Sequence, residues 1–332
     1  MMLECYGFSC SDNLLGPNGY LSKALRWLRR WVGAPLAFAA LLFVGRRIYI
    51  GWATIQMTVS QISPIWLLAG VGVVSLSIFL LGWNWIYILV SRGARVYWPS
   101  TLALYLLTNL TRYLPGGVWH FVGRTAWLTE QGYKSRSVIE SLVLEQMMTL
   151  ISAGAVGFAL SGLVGHTVLA VGLGFVAETA LVLLAGIATG CVWPVHKGFP
   201  LRSYRRGWRC VFLVLSYNLF WILNGFATVC LFAATVGWER TGPLLGINLV
   251  GQTALSWAAG YVVLFVPGGW GVREMAFIHL LSHNLSGDVV VFLPVLSRLV
   301  QVVAELLCGA VFPLVWRLVG QRTERKHSPA ME

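Results

Sequence analysis

The stretch RYLPGGVWHFVGR at residues 112–124 breaks a long apolar run with Pro-Gly-Gly, and VPGGWGVRE at 266–274 does so again, 152 positions further on from proline to proline. Proline cannot continue a helix and paired glycines permit a sharp turn, so each stretch marks a reversal of the chain with arginine close by. Composition supplies the setting. Of 332 residues, 57% are hydrophobic and 11% charged, against about 25% charged in an ordinary soluble domain. About 20 apolar residues cross a hydrocarbon core of about 30 Å. The runs 33–50, 64–90, 137–161, 168–190, 211–236 and 289–316 are therefore predicted to span a membrane.

The segments around the two turns are different. From Pro99 to Pro115 the chain covers about 22 Å as helix, and from Val118 to Glu130 about 20 Å, at 1.5 Å per residue. Neither arm crosses the bilayer, so 99–130 is predicted to be a re-entrant hairpin with its tip at membrane depth. Non-helical backbone survives there only inside protein or beside a wet cavity. The second hairpin is predicted over 244–283. Its first arm is long enough to span and carries Asn248, Gln252 and Ser256 at helical spacing. Shifting the sequence by 152 positions lays Pro115 on Pro267, the span 64–90 on 216–242 and the span 137–161 on 289–313. Each half then crosses three times, an odd number, so the second must be inverted relative to the first.

The expected fold is an all-α polytopic membrane protein of two inverted repeats, each with three transmembrane helices and one Pro-Gly-Gly re-entrant hairpin. Its divisions are a cytoplasmic tail with a basic interfacial segment (1–32), a first repeat (33–165), a second repeat (166–318) and a basic cytoplasmic tail (319–332). Inverted repeats with broken helices are a transporter architecture, with the ligand held where the repeats meet.

Orientation follows from the cations. Most of the 24 Lys and Arg fall in four groups: at 23–30; at Arg92, Arg95, Lys134 and Arg136; at 197–209; and at 317–326. The positive-inside rule puts all four on the cytoplasmic side, with both termini. The loops left outside carry Glu239, Arg240 and Asp288; Arg46 and Arg47, at the outer end of the first span, are explained only by snorkelling. The net charge of +12 needs no nucleic acid, because this bias orients the chain and meets anionic lipid. The six cysteines show neither metal-ligand spacing nor a disulfide framework. Residues 1–20 lack the basic-then-apolar order of a signal peptide.

The paired motifs RYLPGGVWHFVGR and VPGGWGVRE resemble the signatures of the lysylphosphatidylglycerol synthase transmembrane-region family, the flippase-like domain of multiple peptide resistance factor. The resemblance covers about 33–318 and implies a membrane domain that moves a lipid headgroup between leaflets, in a prokaryotic cytoplasmic membrane. The sequence stops at Glu332 without the aminoacyl-transferase domain of the full-length synthase. A stand-alone member without synthase activity is expected.

The ionisable residues near membrane depth agree with a headgroup site. Arg112, Arg124, Glu140, Glu145, Glu178, Arg273, Glu274, Arg298 and Glu305 would each cost about 2.5–3.5 kcal/mol unpaired at mid-bilayer, so they must pair, hydrate or bind something. A helix starting after Pro-Gly-Gly offers free N–H groups and its positive dipole end to an anion. Guanidinium grips phosphate in two places at once. The expected substrate-binding set is Arg112, Pro115, Gly116, Gly117, His120 and Arg124 at the first turn, with Pro267, Gly268, Gly269, Arg273 and Glu274 at the second. The same arginines could instead snorkel or act as structural glue.

Ser141, Glu145, Thr149 and Ser152 share one helical face, and Arg298, Gln301 and Glu305 another. Glu145, Arg298 and Glu305 are expected to meet across the pseudo-two-fold axis as a buried charge pair or gate, with packing polarity as the plainer alternative. His279 and His283 stand at metal-like spacing but lack an HExxH glutamate, so no metal is expected. Trp83, Trp85, Trp98, Trp119 and Trp127 fit interface belts. Small residues at Ala153, Gly157 and Ser161, and at Gly186 and Gly190, allow close helix approach. No nucleophile constellation or nucleotide loop is present, so neither enzyme activity nor a cofactor is expected.

The expected function is translocation of an anionic phospholipid or lipid-linked headgroup. The alternative is a non-transporting membrane partner of a lipid-modifying or glycosyl-transferring enzyme. Besides membrane lipids, the protein partners left open are a second copy of the chain and a separate lipid-modifying enzyme. The topology is checked by labelling: single cysteines near residues 100 and 132 should both react from the cytoplasm, and those near 241 and 285 from outside. Opposite-side labelling within either pair contradicts the inverted repeats.

Overall fold

The structure is a computed structural model that describes residues 62–92, 94, 96–113, 118–161, 203–262, 271–285 and 289–327. These residues form helices α1 (Pro64–Ser91), α2 (Trp98–Leu110), α3 (Trp119–Glu130), α4 (Ser135–Leu160), α5 (Ser203–Val236), α6 (Pro243–Val262), α7 (Val272–Leu281) and α8 (Val289–His327). No strand occurs among the described residues. The expected spans at 33–50 and 168–190 lie outside them. So do Arg46, Arg47, Glu178, Gly186, Gly190 and both turns themselves, Pro115, Gly116, Gly117, Pro267, Gly268 and Gly269.

Among the described residues, four helical stretches are long and apolar enough to cross a membrane: Pro64–Ser91, Ser135–Leu160, Val211–Val236 and Val289–Leu314. They match four of the predicted spans. α6, at 20 residues, is not among them, because polar Asn248, Gln252, Thr253 and Ser256 lower its hydropathy. α2, α3 and α7 have 13, 12 and 10 residues, or about 20, 18 and 15 Å of helix at 1.5 Å per residue. Proline sets where several of these helices begin. Pro64, Pro99 and Pro243 occupy first turns, where the missing N–H has no intrahelical partner to lose and φ is already helical.

The short helices pair with neighbours across the two Pro-Gly-Gly positions. Arg124 of α3 donates to Thr108 and Asn109 of α2, and Gln252 of α6 donates through Nε2 to the Leu280 carbonyl of α7 at 3.2 Å. α2 with α3, and α6 with α7, therefore lie side by side on either side of each Pro-Gly-Gly.

The long helices α1 and α5 run antiparallel. Ser63 N–H donates to the Ala234 carbonyl, Asn224 Nδ2 donates to Ser77 Oγ at 3.3 Å, Ser216 Oγ donates to Asn84 Oδ1 at 2.6 Å, and Tyr87 meets Phe212. Partners retreat along α5 as they advance along α1. Two Asn–Ser bonds in opposite senses thus stitch one interface, and buried side-chain hydrogen bonds of this kind hold helices together where lipid supplies no hydrophobic drive.

The long helix α4 packs on α6, and the long helix α8 packs on α2. Glycine makes both approaches close. A Cβ on Gly157 would sit 2.5 Å from Leu255 Cγ of α6, and one on Gly309 would sit 3.0 Å from Leu110 Cδ1 of α2. These two glycines are also 152 positions apart. Trp85, Leu106, Leu128, Trp221, Leu249, Phe277 and Leu293 belong to one buried cluster drawn from both halves. Outside it, Ile65, Leu68, Phe158, Leu215, Leu299 and Leu306 present an apolar surface suited to lipid.

Adding one methyl at a packed helix contact tests this arrangement. Gly157→Ala should destabilise by about 1–3 kcal/mol through overpacking, whereas Gly154→Ala, with nothing within 4 Å of its Cβ position, should be neutral or slightly stabilising. Melting of the two variants in detergent checks this, and equal midpoints would contradict the α4–α6 contact.

Candidate functional site

On α2, Tyr105, Thr108 and Asn109 fall at i, i+3 and i+4, which puts all three on one face. All are buried, and they meet Arg124 from α3 and Glu145 from α4. Arg124 Nε donates to Thr108 Oγ1 at 3.0 Å, Nη1 to Glu145 Oε2 at 3.1 Å and Nη2 to Asn109 Oδ1 at 2.6 Å. Tyr105 donates its hydroxyl to the other carboxylate oxygen at 2.7 Å. The guanidinium carbon lies 3.9 Å from the Tyr105 ring centroid and 5.1 Å from that of Trp85, so its faces gain cation–π contact. The side chains of Arg124 and Glu145 are each 1% exposed.

This centre is a clasp. Each guanidinium nitrogen already has an acceptor, and the residue joins α2 and α3 to α4. It is a load on packing rather than an open anion site, which departs from the phosphate role expected for Arg124. Trp85 departs too: it is 0% exposed and lies over the guanidinium rather than in an interface belt, unlike Trp83, Trp98 and Trp119, which are exposed. Two polar groups of this region, Trp85 Nε1 and the Tyr217 hydroxyl, are buried without a partner among the described residues.

A second centre joins the halves. Arg112, in the 3-10 turn Thr111–Tyr113 that follows α2, forms an ion pair with Glu305 of α8. The arginine side chain is 27% exposed and that of the glutamate 1%. Gln301, one turn earlier on α8, donates through Nε2 to Glu305 Oε1 at 3.2 Å and accepts through Oε1 from Arg273 Nη1 of α7 at 2.9 Å. Arg112 and Arg273, one beside each Pro-Gly-Gly, are therefore linked through Glu305 and Gln301 on a single helix. On the opposite side the Tyr261 hydroxyl of α6 donates to Gln146 Oε1 of α4 at 2.7 Å, a second bond from the tip end of one half's arm to the last helix of the other.

Glu145 and Arg298, expected to face each other, have other partners. Glu145 takes Arg124, and Arg298 Nε lies 3.8 Å from Glu274 Oε1. The reason is the packing order: α3 lies on α4 and α7 on α8, so Glu145 and Arg298 each find a partner on the neighbouring short helix. Glu274 also accepts the Gly271 N–H at 2.6 Å, capping α7. Glu140 sits nearer the surface, paired with Arg92 and with Arg136, whose Nε is 2.9 Å away. His120 stands on α3 within electrostatic reach of Arg112 and Arg124, and its buried Nδ1 has no partner among the described residues. Among these residues no group of three His, Cys, Asp or Glu could hold a metal ion.

The centres use residues that sequence reasoning passed over: Tyr105, Thr108, Asn109, Gln146 and Tyr261. The polar stripe at 105, 108 and 109 in an apolar run was a readable signal of a buried site.

The family described as the lysylphosphatidylglycerol synthase transmembrane region matches residues 30–309. No curated protein matches the chain.

The clasp makes a cycle of substitutions informative. Arg124→Gln or Glu145→Gln alone leaves a buried charge and should cost about 3–5 kcal/mol, and the double change should cost clearly less than the sum. Detergent melting curves of the three variants check this; additive shifts would mean that the two side chains do not act as a pair.

Proposed function

From the premise that the chain belongs to the lysylphosphatidylglycerol synthase transmembrane-region family, we propose that it is a flippase-like translocase. It moves an anionic phospholipid or lipid-linked headgroup between leaflets along the contact of two inverted repeats, with the headgroup phosphate received by Arg112 and, from the other half, Arg273. The membership and the apolar helices support the coarser statement that this is an integral membrane protein of lipid metabolism.

The observation that carries the proposal is the Arg112–Glu305 pair, an ionic contact between the two halves whose arginine keeps part of its surface open. A charge placed there serves little if the halves are a static bundle, because burying an ion pair in place of apolar packing gains little stability. It does serve a site where a phosphate must be stripped of water and met by a planar guanidinium. The antiparallel course of α1 and α5, equivalent in the 152-residue offset, supports the inversion. The reciprocal packing of α4 on α6 and α8 on α2 supports it further. The short paired helices around each turn support re-entrant hairpins. In this reading both termini face the cytoplasm, and Arg124 with Glu145 fixes the first hairpin's arms instead of touching lipid.

Purified protein in liposomes should speed the crossing of a headgroup-labelled anionic phospholipid. Arg112→Ala and Arg273→Ala should each slow it about tenfold or more, as expected for losing a charge-assisted hydrogen bond of about 1.5–3 kcal/mol. Arg112→Lys should rescue only part of the rate, since lysine keeps charge without the fork. Full rates in both alanine variants would refute the phosphate site, and no movement of any lipid by folded protein would favour the non-transporting partner.

A further inference from the structure

Two buried amide oxygens on α6 are left without partners. Asn248 and Gln252 fall at i and i+4, so both lie on one face of the helix, and they are 8% and 2% exposed. Gln252 Nε2 donates to the Leu280 carbonyl of α7 at 3.2 Å, which fixes the amide with Oε1 as its open end. That oxygen and Asn248 Oδ1 are both buried with no hydrogen-bond partner among the described residues. An unmet buried acceptor is costly, and two on one helix face call for a shared donor or cation.

Two helix ends converge on the same stretch of α6. α4 ends at Leu160 with its C-cap at Ser161, and this end touches α6 at Gly251, where a Cβ would sit 2.2 Å from Ser161 N and 2.4 Å from the Leu160 carbonyl carbon. Gly251 lies three residues after Asn248, a neighbour on the helix surface. α7 ends at Leu281, one residue beyond the carbonyl that holds Gln252. A helix C-terminus carries its last carbonyls and the negative end of the macrodipole, so two such ends favour a positive charge between them. A water molecule would meet the amides without using that field.

No nearby side chain supplies the charge. α6, the stretch of α4 from Gln146 to Leu160 and that of α5 from Val211 to Val236 contain no Asp, Glu, Lys or Arg. From Met275 to Leu285, α7 and its continuation bring only His279 and His283, both exposed. Neutral oxygens without a carboxylate suit a monovalent ion, since Ca2+ and Mg2+ recruit carboxylates.

We propose that Asn248 Oδ1 and Gln252 Oε1 are ligands of an alkali-metal cation, Na+ or K+, held between the C-terminal ends of α4 and α7. The site goes beyond the translocase reading and uses none of its phosphate-binding residues. Asn248 and Gln252 lie about 8 and 14 Å along α6 from Pro243 at 1.5 Å per residue, so the ion sits within the first three turns of that helix. A bound cation ties α6 to both neighbouring helix ends, which makes the packing of this region depend on ion occupancy.

The test uses full-length protein in detergent. Melting is followed as Na+ or K+ replaces choline at constant ionic strength, and binding of radiolabelled Na+, or of Rb+ in place of K+, is measured directly. Wild type should be stabilised saturably by at least one of the two ions. Asn248→Ala should weaken that affinity about tenfold or more and leave melting in choline close to wild type, because Asn248 Oδ1 has no hydrogen bond to lose. Asn248→Asp should tighten binding and admit Ca2+, since it adds a carboxylate. Ser256→Ala, whose hydroxyl already bonds the Thr253 carbonyl, should bind as wild type does. Gln252→Leu should also lose the ion, and if that variant does not fold the two Asn248 variants decide. No stabilisation over choline and no ion binding by folded wild type overturns the site, leaving the amides to water. Binding unchanged in Asn248→Ala overturns it too, by placing the ion elsewhere. Neither result bears on lipid movement or on Arg112, whose variants test the translocase reading separately.

Discussion

A guanidinium inside a bilayer must be met on every side, and Arg124 is. Its three nitrogens reach Thr108, Asn109 and Glu145, and its plane is covered by Tyr105 with Trp85 beside it. Meeting that demand fixes much else. The acceptors come from α2 and α4 while the arginine comes from α3, so the two arms around the first Pro-Gly-Gly are held at a set height on a spanning helix. Helices as short as α2 and α3, with 13 and 12 residues, have little apolar surface with which to anchor themselves. Buried polar bonds, high in stakes because each unmade one costs the full desolvation of its group, supply the anchor. The end of α2 then carries Arg112 to Glu305 on the opposite half.

The two halves solve the same problem with different residues. In each, an arginine on the second arm bonds to the following long helix: Arg124 to Glu145 of α4, and Arg273 to Gln301 of α8. In each, a residue at or just beyond the end of the first arm bonds to the other half's long helix: Arg112 to Glu305, and Tyr261 to Gln146. The first half holds its arginine with full charge compensation and is closed. In the second, Arg273 bonds among others to a neutral amide, Gln301, which connects onward to the Glu305 ion pair with Arg112. Gln301 and Glu305 thus bring polar partners from both halves together on α8.

Much of this was legible in the sequence. The Pro-Gly-Gly repeats and the 152-residue offset located four spanning helices and the short arms, because helix breakers and apolar runs act locally and leave a linear trace. The stripes on α4 and α8 identified Glu145, Gln301 and Glu305 as inward facing, since helical periodicity sets the face. Partner choice was not legible. A stripe says which way Glu145 points but not whether α3 or α8 lies opposite, and that depends on how the arms pack around turns. Trp85 was assigned to an interface because its neighbours Trp83 and Trp98 belong there; only the helix phase, two positions on from Trp83, turns it inward onto Arg124.

The central claim is that an anionic headgroup meets this protein where the halves touch, at Arg112 and Glu305. The most direct measurement is photo-crosslinking with a phospholipid carrying an azide in its headgroup, followed by peptide mapping of the adducts. The account predicts adducts concentrated around Arg112 at the end of α2 and on the face of α8 that carries Gln301 and Glu305, reduced by excess unlabelled phosphatidylglycerol. Adducts confined to the exposed apolar face of α1, around Ile65 and Leu68, and unaffected by competitor would contradict it.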